Sequence, residues 1–401
     1  MNVLILGAGA SKSYDASVTR QRMPIANDFF KTFRHLEISK NPWVLIGMIL
    51  NYLKTFHSIE FENFPDFNGD IEVLHSEIQE KLIDALSRSG DAEPDDVVII
   101  SAYTQLSFLF ASVINEIQNG PVSNAHLNLC SNLKVNDVVI TFNWDTLMDR
   151  ALRESTDWTP ESGYFVKPKL IFRNEWNKST DQESTAPLLL KLHGSTNWLT
   201  SYIIAEDGKM NSIQNTDINE LYVYESNVEP YACYKGRYMS GYSDYSYGYY
   251  PPNLPVDGKP LPEGYLLTRI TLTPETMPEP TSVDKGLDSM PLIIPPVKHK
   301  DYSYFGTLYN SLWKKSEESL SQADTIFIIG YSFPITDKQT DLLFKKAFVK
   351  RHSFPKVVIL NPTPDTIVER FIYDYGIPST HIKVYKEFFT SDFNVDMLFE
   401  R

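Results

Sequence analysis

Cysteine is nearly missing from this chain: only Cys130 and Cys233 occur among 401 residues. Two thiols build neither a disulfide framework nor the four-thiolate zinc site of a metal ribbon, so no metal is expected and a reducing, cytoplasmic home is. Apolar runs approaching the roughly 20 residues that span a bilayer are also lacking, which speaks against a membrane protein. The opening Met1-Asn2-Val3-Leu4-Ile5-Leu6-Gly7 has no positive n-region and too short an apolar stretch for a secretory signal, and reads instead as a strand. Positive charge is in deficit, with 37 Lys and Arg against 51 Asp and Glu and a formal net charge of -14. Such a chain repels polyanions as a whole, so nucleic acid is not its expected partner unless a local basic patch provides for it. A Walker-type Gly-x-x-x-x-Gly-Lys string is absent too, so any ATPase activity must come from another polypeptide.

What is present is a recurring short run of Val, Ile and Leu, then a turn, then a segment of helical periodicity, the pattern of an α/β fold with a parallel sheet. The expected strands are Asn2 to Leu6, Asp137 to Thr141, Leu188 to Leu192, Thr325 to Ile329 and Val357 to Leu360, with a further candidate at Ile382 to Tyr385. Ile71, Leu74, Ile78, Leu82 and Leu86 share one helical face, as do Leu106, Leu109, Phe110, Val113, Ile114 and Ile117. These helices precede the second strand, so about 41–133 is too long for a simple crossover and reads as an inserted helical subdomain. A second insertion, about 200–321, is of another kind: Tyr231 to Tyr250 holds eight tyrosines in twenty residues, and prolines cluster from Pro251 to Pro296. Turn-forming residues disfavour regular helix there, leaving a loop-rich or partly β subdomain that serves as a solvated surface, a lid or a partner surface.

Each expected strand ends in residues suited to a ligand, and ligands of open α/β sheets bind beyond the carboxyl ends of the strands. The first runs into Gly7-Ala8-Gly9-Ala10-Ser11, where missing side chains let backbone amides approach a pyrophosphate at the following helix's positive end. Lys12 stands where the dinucleotide fingerprint has its third glycine, so a plain tight turn explains this fragment equally well. The second ends in Thr141-Phe142-Asn143-Trp144-Asp145; taken alone, Asp145 is as well read as a helix cap and Asn143 as a turn residue. The third ends in Lys191-Leu192-His193-Gly194-Ser195, where histidine can accept a proton near neutral pH and Gly194 permits close approach by a substrate. Gly330-Tyr331-Ser332-Phe333 and Asn361-Pro362 close the fourth and fifth. Asp70 and Glu72 form a nominal carboxylate pair, but their spacing at a helix start points them apart, and favourable charge at the helix N-terminus explains them better than a metal.

In order and type, the strings GAGAS at Gly7 to Ser11, TFNWD at Thr141 to Asp145, LHGS at Leu192 to Ser195, GYSF at Gly330 to Phe333 and LNP at Leu360 to Pro362 resemble the sirtuin superfamily. The closer resemblance is to the SIR2-like domain of bacterial anti-phage defence proteins, which share strings like Asp70-Ile71-Glu72 and Pro291-Leu292-Ile293-Ile294-Pro295-Pro296. That resemblance implies a Rossmann-like pocket with NAD as substrate. Gly7, Ala8, Gly9 and Ser11 would contact the NAD phosphates. Asn143 would order the nicotinamide ribose and the attacking group, Asp145 would seat the carboxamide, and His193 would bond the ribose hydroxyls and serve as base. Ser332 and Asn361 match positions that hold phosphate and adenosine ribose, and Thr141, Phe142, Gly194 and Gly330 complete the expected cofactor-binding set. Trp144 or Phe142 would exclude bulk solvent.

Two departures from protein-deacylating sirtuins matter. The zinc-ribbon cysteines are absent, and their arginine-bearing loop is replaced by Met23-Pro24-Ile25-Ala26-Asn27-Asp28-Phe29, similar to the loop of defence-type relatives that destroy NAD. The expected activity is therefore NAD hydrolysis in one elaborated domain, gated by self-assembly into a homo-oligomer or by a partner such as a HerA-like ATPase encoded nearby. The alternatives are an NAD or ADP-ribose sensor or assembly scaffold without turnover, a deacylase or ADP-ribosyl transferase, and a nuclease acting with an ATPase.

Overall fold

Runs of Val, Ile and Leu favour strands buried on both faces, and they supply the main sheet here. The computed structural model describes residues 1–40, 42–87, 93–173, 176–183, 185–201, 203–206, 209–212, 220–225, 235–239, 245–249, 289–294, 306–334 and 337–400. In chain order the strands are β1 (Asn2–Leu6), β2 (Val138–Thr141), β3 (Leu170–Phe172), β4 (Trp176–Lys178), β5 (Leu188–Lys191), β6 (Gly194–Ser201), β7 (Ile203–Glu206), β8 (Lys209–Ser212), β9 (Tyr222–Tyr224), β10 (Lys235–Met239), β11 (Tyr245–Tyr249), β12 (Ser289–Ile293), β13 (Thr325–Ile329), β14 (Lys356–Leu360) and β15 (Ile382–Tyr385).

Six strands form the main sheet in the order β15-β14-β13-β1-β2-β5, and every neighbouring pair is parallel. Counted along that sheet alone, this is the 3-2-1-4-5-6 order of Rossmann-like folds, and strand order reverses between β1 and β13. Leu6 lies level with Ile329 and Thr141, and Thr141 with Lys191, so the carboxyl ends finish along one edge. Val3, Ile5, Ile140, Leu190, Ile328 and Ile359 are wholly buried, each stabilising the sheet by roughly 1.5–3 kcal/mol.

A second apolar core lies among the helices Pro42–His57, Ile71–Ser87 and Pro94–Gln118, which pack on one another. Ile71, Leu74, Ile78 and Leu82 face inward as their spacing requires, as do Leu106, Leu109, Val113 and Ile117; the side chain of Leu86 lies outside the described residues. The helix Pro94–Gln118 corrects one expectation, for it is long and apolar enough by length and composition to cross a bilayer. Ser101, Gln105, Ser107 and Ser112 interrupt its apolar residues, so it contains no continuous apolar run of that length. Its most apolar window is 81% buried, so most of that surface already packs against the protein's own helices.

Beyond β5 the chain leaves the main sheet, and after only Leu192 and His193 it enters a second sheet of order β12-β6-β9-β3-β4. The strands β7 and β8 pair as a ribbon, and so do β10 and β11. Most of the tyrosine- and proline-rich stretch lies outside the described residues. At its far end stands a regular helix, Gly306–Gln322, where helix was not expected. Leu308, Leu312 and Leu320 supply its buried face, packed beside the helix Lys338–Val349.

Candidate active site

At the reversal of strand order, Gly7 leaves β1 and Gly330 leaves β13. A Cβ on Gly7 would sit 2.6 Å from Tyr331 Cα, and one on Gly330 would sit 2.3 Å from the Ala10 nitrogen. Gly330 also has φ +61, so packing and backbone conformation both require glycine there. The N–H of Gly7 donates to Ile329 O at 3.1 Å, that of Gly9 to Gly330 O at 2.9 Å, and that of Ala10 to Gly7 O at 2.8 Å. This revises the expectation of amides directed at a pyrophosphate: those three are engaged within the protein, and the helix after the turn is the single turn Ala8–Ser11. What the turn offers is a bare surface at Ala8 and Gly9, both exposed.

The end of β2 is bonded directly onto this turn. Asn143 Nδ2 donates to Gly7 O at 2.8 Å, and the Asn143 N–H donates to Thr141 Oγ1 at 3.1 Å. Thr141 is buried and holds the loop, while Asn143 is half-buried. Ser11 Oγ donates to Asp145 Oδ2, and the Leu147 N–H donates to Asp145 Oδ1 at 3.0 Å. Asp145 therefore joins the glycine turn to the start of the helix Leu147–Ser155 from the position before its N-cap, which is Thr146 rather than the expected Asp145. Behind it, His126 Nδ1 bonds Ser123 Oγ at 2.8 Å. Burial pushes this imidazole down to about 4, against the pull of the Asp145 carboxylate.

His193 occupies the two-residue break between β5 and β6. Its ring centroid is 5.1 Å from that of Phe142, which stacks on Tyr331 at 4.6 Å. The missing side chain of Gly7 is what lets Tyr331 pass across the end of β1 to reach Phe142. The Ile294 N–H donates to His193 O at 2.8 Å, and Trp144 Nε1 donates to Ile294 O at 3.1 Å. Gly194, at φ +77, departs from the expected reason for a glycine: a Cβ there would lie 2.0 Å from Leu292 O and 2.6 Å from Tyr309 Oη. Its free space belongs to β12 and Tyr309 rather than to a substrate.

Further along the edge, Gly330 and Phe333 (φ +53) bracket a turn that leaves Ser332 exposed while Phe333 is buried. Asn361 Oδ1 accepts from the Thr363 N–H at 2.9 Å, so that side chain shapes its own turn. Asp70 caps the helix Ile71–Ser87 by accepting from the N–H groups of Glu72 and Val73. Lys12 reaches Asp28 at 2.9 Å and ties the Met23 to Phe29 loop to the glycine turn.

Several residues of the site escaped sequence reasoning. Asp337 lies 3.8 Å from His193; its only sequence signal was a polar residue before a helix. Gln118 is wholly buried, and its Oε1 accepts from the Thr146 N–H at 2.7 Å while its Nε2 donates to Thr196 at 3.2 Å. Lys191, also wholly buried, donates to Asp145 O at 2.5 Å and to Asp149 Oδ2 at 2.9 Å. Nothing in the local pattern distinguished either from a surface polar residue.

A family model described as a SIR2-like domain matches residues 137–230. The match spans the Asn143 and Asp145 loop and the His193 turn, whereas the glycine turn and the Gly330 turn join them only through the fold. A comparison with curated proteins finds no match.

Proposed function

We propose, from the premise that the chain carries a SIR2-like domain and so handles NAD, that it hydrolyses NAD+ to nicotinamide and ADP-ribose. One observation carries the reading: Asn143 and Asp145 are bonded to the glycine turn at the reversal of strand order, with His193 at the end of the next strand. That crevice is where open α/β sheets take nucleotides. The reaction breaks the bond between C1′ of the ribose and the nicotinamide nitrogen, whose electron pair leaves with nicotinamide and neutralises its ring charge. Water then forms the new bond to C1′ and gives up a proton.

In this scheme Asn143, fixed through Nδ2, presents its Oδ1 to the ribose hydroxyls and the incoming water. His193 engages the ribose hydroxyls and accepts the released proton. Phe142 and Trp144 exclude bulk water around the developing positive charge. Asp145 acts chiefly through Ser11, holding the glycine turn against the Asn143 loop, and takes the carboxamide in the bound state. Loss of NAD would kill a cell unless restrained, so control by homo-oligomerisation or by a partner such as a HerA-like ATPase belongs to the proposal.

The experiment is incubation of the purified protein with NAD+, alone and with the product of the neighbouring gene, following nicotinamide. Wild type is expected to release it, and Asn143→Ala to lose at least about 100-fold of the rate while keeping its circular dichroism and unfolding cooperatively, with at most the small loss of stability expected for one hydrogen bond. A folded Asn143→Ala protein that hydrolyses NAD+ normally would reject the assignment.

A further inference from the structure

We infer that Asp337 is the positioning carboxylate of His193, holding the imidazole proton on Nε2. The Nε2 atom lies 3.8 Å from Asp337 Oδ2, with the imidazole side chain 8% and the carboxylate 1% exposed. That separation is beyond a hydrogen bond but within reach of strong charge attraction at a buried site. Asp337 also stands at the N-cap of the helix Lys338–Val349, where an aspartate ordinarily bonds the first free amides. It makes no side-chain cap bond.

The carboxylate is instead held by Tyr331, whose Oη donates to the same Oδ2 at 2.7 Å. Burial, reinforced by the Asp337 charge, pushes the Tyr331 phenol far above its ordinary range, so it stays a donor. Phe142, stacked on Tyr331 and packed beside His193, covers the arrangement. A helix has thus forgone its own cap to keep an anion beside a histidine at the end of β5. When His193 takes a proton from water or a ribose hydroxyl, the positive ring forms beside Asp337 and is stabilised there, while the carboxylate stays ionised.

The kinetic part of this inference rests on the NAD-hydrolase reading; the tautomer part does not. Long-range proton–nitrogen spectra of protein labelled with ¹⁵N-histidine, in mildly alkaline buffer, report which ring nitrogen carries the proton, and His193→Gln identifies the signal. Wild type is expected to hold the proton on Nε2, and Asp337→Asn to give a mixture. In the nicotinamide assay Asp337→Asn is expected to lower kcat roughly 10- to 100-fold with KM within about threefold, and Asp337→Glu to recover part of the loss.

A folded Asp337→Asn protein with an unchanged tautomer overturns the inference, whatever its rate. Should that variant not fold, a wild-type His193 protonated on Nδ1 overturns it equally. A tautomer that does respond, in a protein that releases no nicotinamide alone or with its neighbour's product, supports the Asp337–His193 pair and rejects the hydrolase reading instead.

Discussion

A glycine in a sequence states only that a side chain is missing, and its neighbours decide why. Gly194 and Gly376 both have positive φ, +77 and +70. Beside Gly194 stand Leu292 O and Tyr309 Oη, whereas nothing lies within 4 Å of a Cβ on Gly376. Gly376→Ala should therefore lose only the conformational term, about 1–2 kcal/mol. Gly194→Ala adds a steric clash with β12 and should lose at least about 3 kcal/mol, or fail to fold. Urea unfolding of the pair measures the difference, and equal losses would mean that β12 does not press on Gly194. Asp145 makes the same point for a charged residue. Its sequence position fits a cap and a ligand equally, and only the bond from Ser11 shows that it also ties two strand ends together. Ser11→Ala should cost about 1–3 kcal/mol by leaving a buried carboxylate oxygen unmatched, readable as a lowered urea midpoint.

Strand β5 reads as an apolar run, yet it ends in Lys191, whose ammonium is wholly buried. That lysine bonds Asp149 from the helix Leu147–Ser155, and Tyr164 donates to the other carboxylate oxygen. Burial, with the Asp149 charge added, holds the Tyr164 phenol well above its ordinary range. Removing one partner leaves a buried charge uncompensated, so Lys191→Ala is expected to lose about 3–5 kcal/mol. The apolar pair Lys191→Met with Asp149→Leu should recover most of that in equilibrium unfolding. If the double variant is no more stable than the single one, the ion pair is not what holds the helix to β5. Gln118 does comparable work at the end of the helix Pro94–Gln118, coupling the helical core to the loop after Asp145. The helix Pro94–Gln118 was legible from periodicity and the start of Leu147–Ser155 from the polar residue before it, but the polar contacts that aim them were not.

At the scale of the molecule, two buried histidines among the described residues contribute to the response to acid. Burial pushes His75 down to about 3 and His126 down to about 4, from an ordinary value of 6.5. Between those values the unfolded chain binds protons that the folded chain refuses, so stability is full above about pH 6.5 and falls as pH drops toward 4 and then 3. On the scale of roughly 1.4 kcal/mol per pH unit per group, the loss has an upper bound of about 8 kcal/mol once both groups are passed. Calorimetry from pH 7 to pH 4 checks this. His75→Phe, which has no proton to bind, should flatten the slope; an unaltered slope would show that other groups control acid unfolding.

The amino-acid sequence alone determined the six main-sheet strands, the helices around Ile71 and Leu106, and which polar residues stand at strand ends, because the length of an apolar run and the 3.6-fold spacing of a helical face are local properties of a chain. All six main-sheet strands fall within a residue of where their apolar runs put them. Only the tertiary structure decided that strand order reverses between Gly7 and Gly330, that β12 fills the space of Gly194, and that Asp337 forgoes its helix cap for His193. Those pairings join residues remote in the chain. They are chosen by packing and by the need of each buried polar group for a partner, and neither acts until the sheet has assembled.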